Sequence, residues 1–179
     1  MKRIQLLLII SILCASGLYA APRPISFGVS AGIGLPKIPL SQFRSPISVL
    51  ASGMTHVSFT EKWGIQVDGN ALTTFSLGTV NKVDSDLQFD IYWGSVSLTY
   101  KLKGLMRNRS NLIAGIGNYY LTQQFNHGKE EIQTTGMNLG ISSWMTHRRW
   151  RGYFEARWHL LFKPSENPQV LTVTYGWLL

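Results

Sequence analysis

Glu155, Arg157 and His159 alternate in the run Glu155-Ala156-Arg157-Trp158-His159, a spacing that sets all three side chains on one side of an extended strand. A carboxylate, a guanidinium and an imidazole so placed fit a proton-responsive gate or a buried plug in which each charge offsets another. Asp68 and His56 fall on the polar side of other alternating segments and are candidates to join them. The plug is the favoured reading, because an unpaired charge inside a protein is costly and eight strands leave no water-filled pore to gate.

His56 and Ser58 share a second strand face, with Glu61 close by. A histidine, a hydroxyl and a carboxylate are the parts of an activated nucleophile, and the reaction they would suit is deacylation of a lipid. Glu61 lies past the strand end and no oxyanion-hole element is recognisable, so no catalytic residue is assigned. His127 and His147 stand alone in connections and suit solvent rather than a metal ion. No metal site and no cofactor is expected. Gly32-Ile33-Gly34 and Gly115-Ile116-Gly117 lack the remainder of a phosphate loop and read as close-packed positions.

These residues need strands to carry them, and the period-2 pattern predicts eight, over 25–35, 47–60, 64–77, 87–102, 111–125, 131–145, 152–162 and 169–179. In the first, Ile25, Phe27, Val29, Ala31, Ile33 and Leu35 oppose Ser26, Gly28, Ser30, Gly32 and Gly34. In the seventh, Phe154, Ala156, Trp158, Leu160 and Phe162 oppose Tyr153, Glu155, Arg157 and His159. The alternation of the fourth strand changes phase at Gly94-Ser95, where a bulge is expected, and the fifth leaves its two faces unassigned. The last strand sets Leu171, Val173, Tyr175, Trp177 and Leu179 against Thr172, Thr174, Gly176 and Leu178. Its unbroken pattern implies pairing on both sides, which closure into a barrel supplies.

Met1-Lys2-Arg3, the apolar run Ile4 to Leu13 and the small residues around Ala20 form a secretory signal pattern, so residues 1–20 are expected to be removed and 21–179 to form one barrel domain. Cys14, the one cysteine, leaves with the signal, which excludes disulfides and thiolate metal sites. The formal charge of +8 becomes +6 without Lys2 and Arg3. The basic residues flank short connections instead of interleaving with aromatics along a helix, which excludes a nucleic-acid partner.

Alternation alone fits a water-soluble barrel as well as one in lipid. The polar faces decide, since they carry Ser, Gly, Thr, Gln and Asn where a solvated sheet would carry many Lys and Glu. Such groups suit a narrow lumen, and the strand lengths exceed the roughly 9 to 11 tilted residues that cross a bilayer. Trp93, Tyr100, Trp158, Tyr175 and Trp177 are candidates for interfacial girdles. A lipocalin-like soluble barrel and a lipid-modifying enzyme using His56 and Ser58 stand as the alternatives.

The segment Glu155 to His159 and the closing Leu171-Thr172-Val173-Thr174-Tyr175-Gly176-Trp177-Leu178-Leu179 give the chain a specific likeness. It resembles the small eight-stranded outer-membrane barrels of the OmpX and opacity type. The resemblance implies an all-β, closed, antiparallel up-and-down transmembrane barrel in the bacterial outer membrane, a place and a shape but not an activity; with no catalytic set recognisable in the residues, a structural or surface-interaction role without catalysis is expected. It also implies that Leu171, Val173, Tyr175, Trp177 and Leu179 serve as the signal read by the barrel-assembly machinery. With both termini periplasmic, the even connections are periplasmic, and Arg107, Arg109, Arg148, Arg149 and Arg151 with Trp63 and Trp150 would lie at headgroup level as an orientation device. The partners expected are therefore outer-membrane lipids and the assembly machinery, around a monomer.

Overall fold

The computed structural model describes residues 25–37, 48–74, 88–102, 109–125, 128–147, 150–163 and 168–179, with the backbone alone at 37, 88–89, 109, 123–125, 128, 146–147 and 150. The expected signal segment, Arg107, Arg148, Arg149, His127 and the tip residues of most connections lie outside the described residues. Eight strands are seen: β1 (Ile25–Lys37), β2 (Ser48–Ser58), β3 (Trp63–Thr74), β4 (Gln88–Leu102), β5 (Arg109–Phe125), β6 (Gly128–His147), β7 (Trp150–Leu161) and β8 (Gln169–Leu178). Each pairs antiparallel with its sequence neighbour, and β8 pairs with β1 from Lys37↔Gln169 to Gly28↔Leu178, so the sheet is a closed barrel.

Closure gives every strand an inner and an outer face, and the sequence sorts between them by size and polarity. Phe27, Val96, Leu112, Phe154, Trp158, Leu171 and Trp177 all lie on the outer wall, and Ile116 there is 71% exposed. Ser26, Ser30, Gln66, Asp68, Ser95, Ser97, Thr99, Asn138, Arg157, His159, Thr172 and Thr174 are buried within. A barrel made for water would invert this arrangement, because soluble proteins rarely expose apolar patches beyond a few hundred Å². An apolar wall around a polar axis is what a bilayer selects.

Several expectations are corrected. β4 has no bulge: its register runs unbroken through Gly69↔Gly94 on one side and Ser95↔Gly117 on the other. Ile91 and Trp93 therefore point into the lumen with Ser95, Ser97 and Thr99, and Trp93 is a core residue, not part of a girdle. The apparent phase change is a change in lumen chemistry along one continuous strand. β5 resolves with Ile113, Tyr119 and Leu121 inside and Leu112, Ile116 and Tyr120 outside. β1 continues through Pro36, which pairs with Val170 of β8 beyond the last β2 pair at Gly34↔Ser48. A proline is tolerated there because only one ladder remains to be satisfied. Trp63, Arg109 and Trp150 open strands β3, β5 and β7, and Arg151 follows within β7, instead of lying in connections.

Candidate functional site

The inward residues of β7 pass through every layer of the lumen. From the end that holds the start of β1 and the end of β8, Tyr153, Glu155, Arg157, His159 and Leu161 follow one another up the axis. Tyr153 belongs to an apolar layer with Met54 and Leu178, against which Trp144 packs. Leu161 belongs to a larger one at the opposite end, with Leu50, Leu72, Ile91, Trp93, Tyr119, Leu121 and Val170. The charged residues lie between these two apolar layers.

Arg157 is the centre of that middle layer. Its Nη1 donates to Asp68 Oδ1 at 2.9 Å, and its Nε stands 2.7 Å from Glu155 Oε1, an ion pair by distance whose N–H does not point along the contact. Asp68 is further held by Ser95 Oγ (2.9 Å) and Asn70 Nδ2 (2.6 Å), while Gln66 Nε2 donates to Glu155 Oε2 at 3.1 Å. β3 and β7 are four strands apart in a ring of eight, so Arg157–Asp68 and Gln66–Glu155 cross the full lumen. The guanidinium and both flanking carboxylates are buried or nearly so, at 2%, 3% and 12% side-chain exposure. In such a place a charge is tolerable only with its partners. Gly140 opens the required room, since a Cβ there would collide with Ala156 O and Arg157 Cγ.

His159 lies one layer above and touches no carboxylate. Tyr119 Oη meets its Nδ1 at 3.0 Å and Thr172 Oγ1 its Nε2 at 3.1 Å, and the ring packs edge-on to Trp93 and Tyr119. His56 is separate from the ion layer altogether. Its Nε2 meets Thr99 Oγ1 at 2.9 Å and its ring stands edge-on to Trp144 at 4.8 Å, toward the lower apolar layer. The five residues grouped from the sequence thus divide into an ion layer of Asp68, Glu155 and Arg157 and two histidines bonded to hydroxyls. Sequence reading missed Asn138, Ser97, Thr99 and Tyr119, which no motif marks; their signal was position on the inward parity of β4, β5 and β6.

The nucleophile reading does not assemble. His56 faces the lumen and is occupied by Thr99, and Glu61 is exposed in the turn 59–62. Among the described residues no group of three or more His, Cys, Asp or Glu gathers as a metal site would require.

On the outer wall, Trp63 packs against Tyr100 with ring centroids 4.6 Å apart, and Tyr175 against Trp177 at 5.9 Å. Trp158 Nε1 donates to Gln169 Oε1 at 3.2 Å. Arg151 is exposed at the even-connection end. Leu171, Tyr175, Trp177 and Leu179 face outward, and Val173 is half-buried on that same face.

The fold is shared with known structures. Neisserial surface protein A (NspA) superposes with a TM-score of 0.65, at 12% identity over 89% of this chain and 99% of that one. A major outer membrane protein from Thermus thermophilus gives 0.57, at 9% identity over 87% and 99%. Ail, the attachment invasion locus protein of Yersinia pestis, gives 0.54, at 10% identity over 87% and 97%. At such identities the likeness is one of architecture, a small eight-stranded outer-membrane barrel. No protein-family model and no curated protein sequence matches the chain.

Proposed function

We propose that this chain is exported by its first twenty residues and resides in the bacterial outer membrane as a monomeric barrel whose lumen is a plug. It acts as a structural or surface-interaction protein, not as a catalyst. The observation that carries this reading is the division of faces: apolar side chains cover the outer wall, and cross-lumen bonds with two apolar layers fill the interior. Eight strands enclose only enough space for side chains, so a diffusion pore has no room. His56 and Ser58 sit on the lumen parity of β2, away from where an acyl ester in lipid could reach them. The surface and attachment roles named for NspA and Ail fit the same architecture and support an interaction role here.

The even connections with the strand ends that flank them, 61–63, 103–110 and 146–151, carry seven Lys or Arg against one acidic residue, Glu61. That charge suits the periplasmic headgroups, where cations and the aromatic ring of Trp63 anchor the interface. Fractionation with heat-modifiable gel migration tests the location: the protein should need detergent for release and should shift in mobility on boiling. Recovery in a detergent-free periplasmic extract would refute the reading. Orientation follows from Lys129→Cys and Lys62→Cys variants labelled in intact cells by a maleimide too large to cross the outer membrane; position 129 should react and position 62 should not.

A further inference from the structure

The outer wall contains a groove. Register pairing sets Trp63 of β3 beside Tyr100 of β4, Tyr100 beside Leu112 of β5, and Leu98 beside Ala114. Between these residues, with Ile113 completing the lining, lies an open trough of about 480 Å³ with almost no polar surface. Its cause is a difference in size. Ala114 contributes one methyl group to the wall, while the tilted Trp63–Tyr100 pair stands up as a rim beside it.

The turn 59–62 fixes what sits at the head of this trough. Phe59 N and Thr60 N both donate to Trp63 O, and Thr60 Oγ1 accepts from Trp63 N at 2.9 Å and Lys62 N at 3.3 Å. Lys101 N donates to Lys62 O at 2.7 Å, which fastens the turn to the end of β4, while Lys101 itself falls on the lumen parity of that strand, two residues beyond Thr99. Lys62 is exposed, Lys101 is half-buried, and Glu61 is the one carboxylate in the turn. An apolar trough at an end whose stretches carry seven Lys or Arg against one acidic residue has the polarity of one lipid molecule: hydrocarbon along the wall, an anion at the head.

We infer that this trough is a binding site for a single anionic phospholipid of the periplasmic leaflet. One acyl chain lies between Trp63, Leu98, Leu112 and Ala114, and the phosphate is held at Lys62. The inference rests on the reading that the outer wall faces lipid. A peptide segment fits poorly because the trough offers its backbone no partners, and buried unpaired amides are costly. A trough of this size falls within the roughly 300–1,000 Å³ of small-molecule sites, and the excess of basic residues at this end selects for negative headgroups.

Native mass spectrometry of the detergent-purified barrel, titrated separately with dioleoylphosphatidylglycerol and dioleoylphosphatidylcholine, tests the site. The expected result is retention of one phosphatidylglycerol in preference to phosphatidylcholine. Ala114→Phe, which fills the trough, should lower that retention on the order of tenfold, a change of about 1.4 kcal/mol. Ala114→Leu should lower it less, which guards against a folding defect in the larger variant. Ile116→Phe, outside the trough on the same wall, should leave retention unchanged, and Lys62→Glu should abolish the headgroup preference. Equal retention of both lipids with no response to Ala114→Phe or Ala114→Leu would overturn the site. So would a dimer that disappears in those variants, since the occupant would then be a second copy. Detergent-free recovery of the protein would refute the lipid reading itself, a failure distinct from that of the trough.

Discussion

The middle of the lumen and its two ends solve the same problem of filling a narrow cylinder by opposite means. The middle is held by directional bonds across the ring, Arg157–Asp68 and Gln66–Glu155 between β3 and β7, and Ser97–Asn138 between β4 and β6. The ends are filled by shape: Leu50, Leu72, Ile91, Trp93 and Leu161 above, and Met54, Tyr153 and Leu178 below. The two arrangements depend on each other. Apolar layers that exclude water strengthen an ion pair between them, and they also raise the cost of losing a partner. Because the plug is built in layers, its stability should respond differently at each level.

The sharpest way to break this contrast is to remove the centre. Arg157→Met leaves Asp68 and Glu155 without their cation and should cost about 3–5 kcal/mol in urea unfolding from micelles. The triple variant Asp68→Asn, Glu155→Gln, Arg157→Met should recover much of that loss, because no isolated charge remains. Leu72→Ala, in the upper layer, should cost about 2–5 kcal/mol through the cavity it leaves. If Leu72→Ala proves more costly than Arg157→Met, water reaches the ion layer and the apolar ends do not seal it.

Neighbouring residues of β4 sharpen the distinction between wall and lumen. Val96→Arg, near the middle of the strand on the outer face, should cost about 2–4 kcal/mol in lipid vesicles. Ser97→Ala, one residue on but inside, should cost only about 1 kcal/mol for its hydrogen bond to Asn138. The smallest effect is expected at the turn, where Thr60→Ala removes the oxygen that accepts from Lys62 and Trp63 and should cost about 0.5–1.5 kcal/mol by the same unfolding assay.

Strand number, order and most strand ends were legible in the sequence, because β1, β7 and β8 alternate large apolar groups with small or polar ones. The alternation fails where the lumen itself is apolar. Ile91 and Trp93 on β4, Leu72 on β3, and Tyr119 and Leu121 on β5 occupy inward positions with outward-type side chains, which led to the bulge expected at Gly94-Ser95 and hid the faces of β5. The pairing of Arg157 with Asp68 was out of reach for a different reason. It depends on how far the strands are staggered around the ring, and no local spacing records the height of one strand against another four positions away. The separation of His56 from the ions has the same origin.

The seam between β1 and β8 joins segments that lie more than 130 residues apart along the chain, from Lys37↔Gln169 to Gly28↔Leu178. Contacts of such separation form late, after the entropy of closing a long loop has been met. Until then the curved sheet has two bare margins, each a row of unmet amides open to any other strand. Time spent as an open ribbon is therefore the vulnerable period in this molecule's life, and the rate of that final zippering should govern how much protein reaches its destination and how much is lost to aggregates.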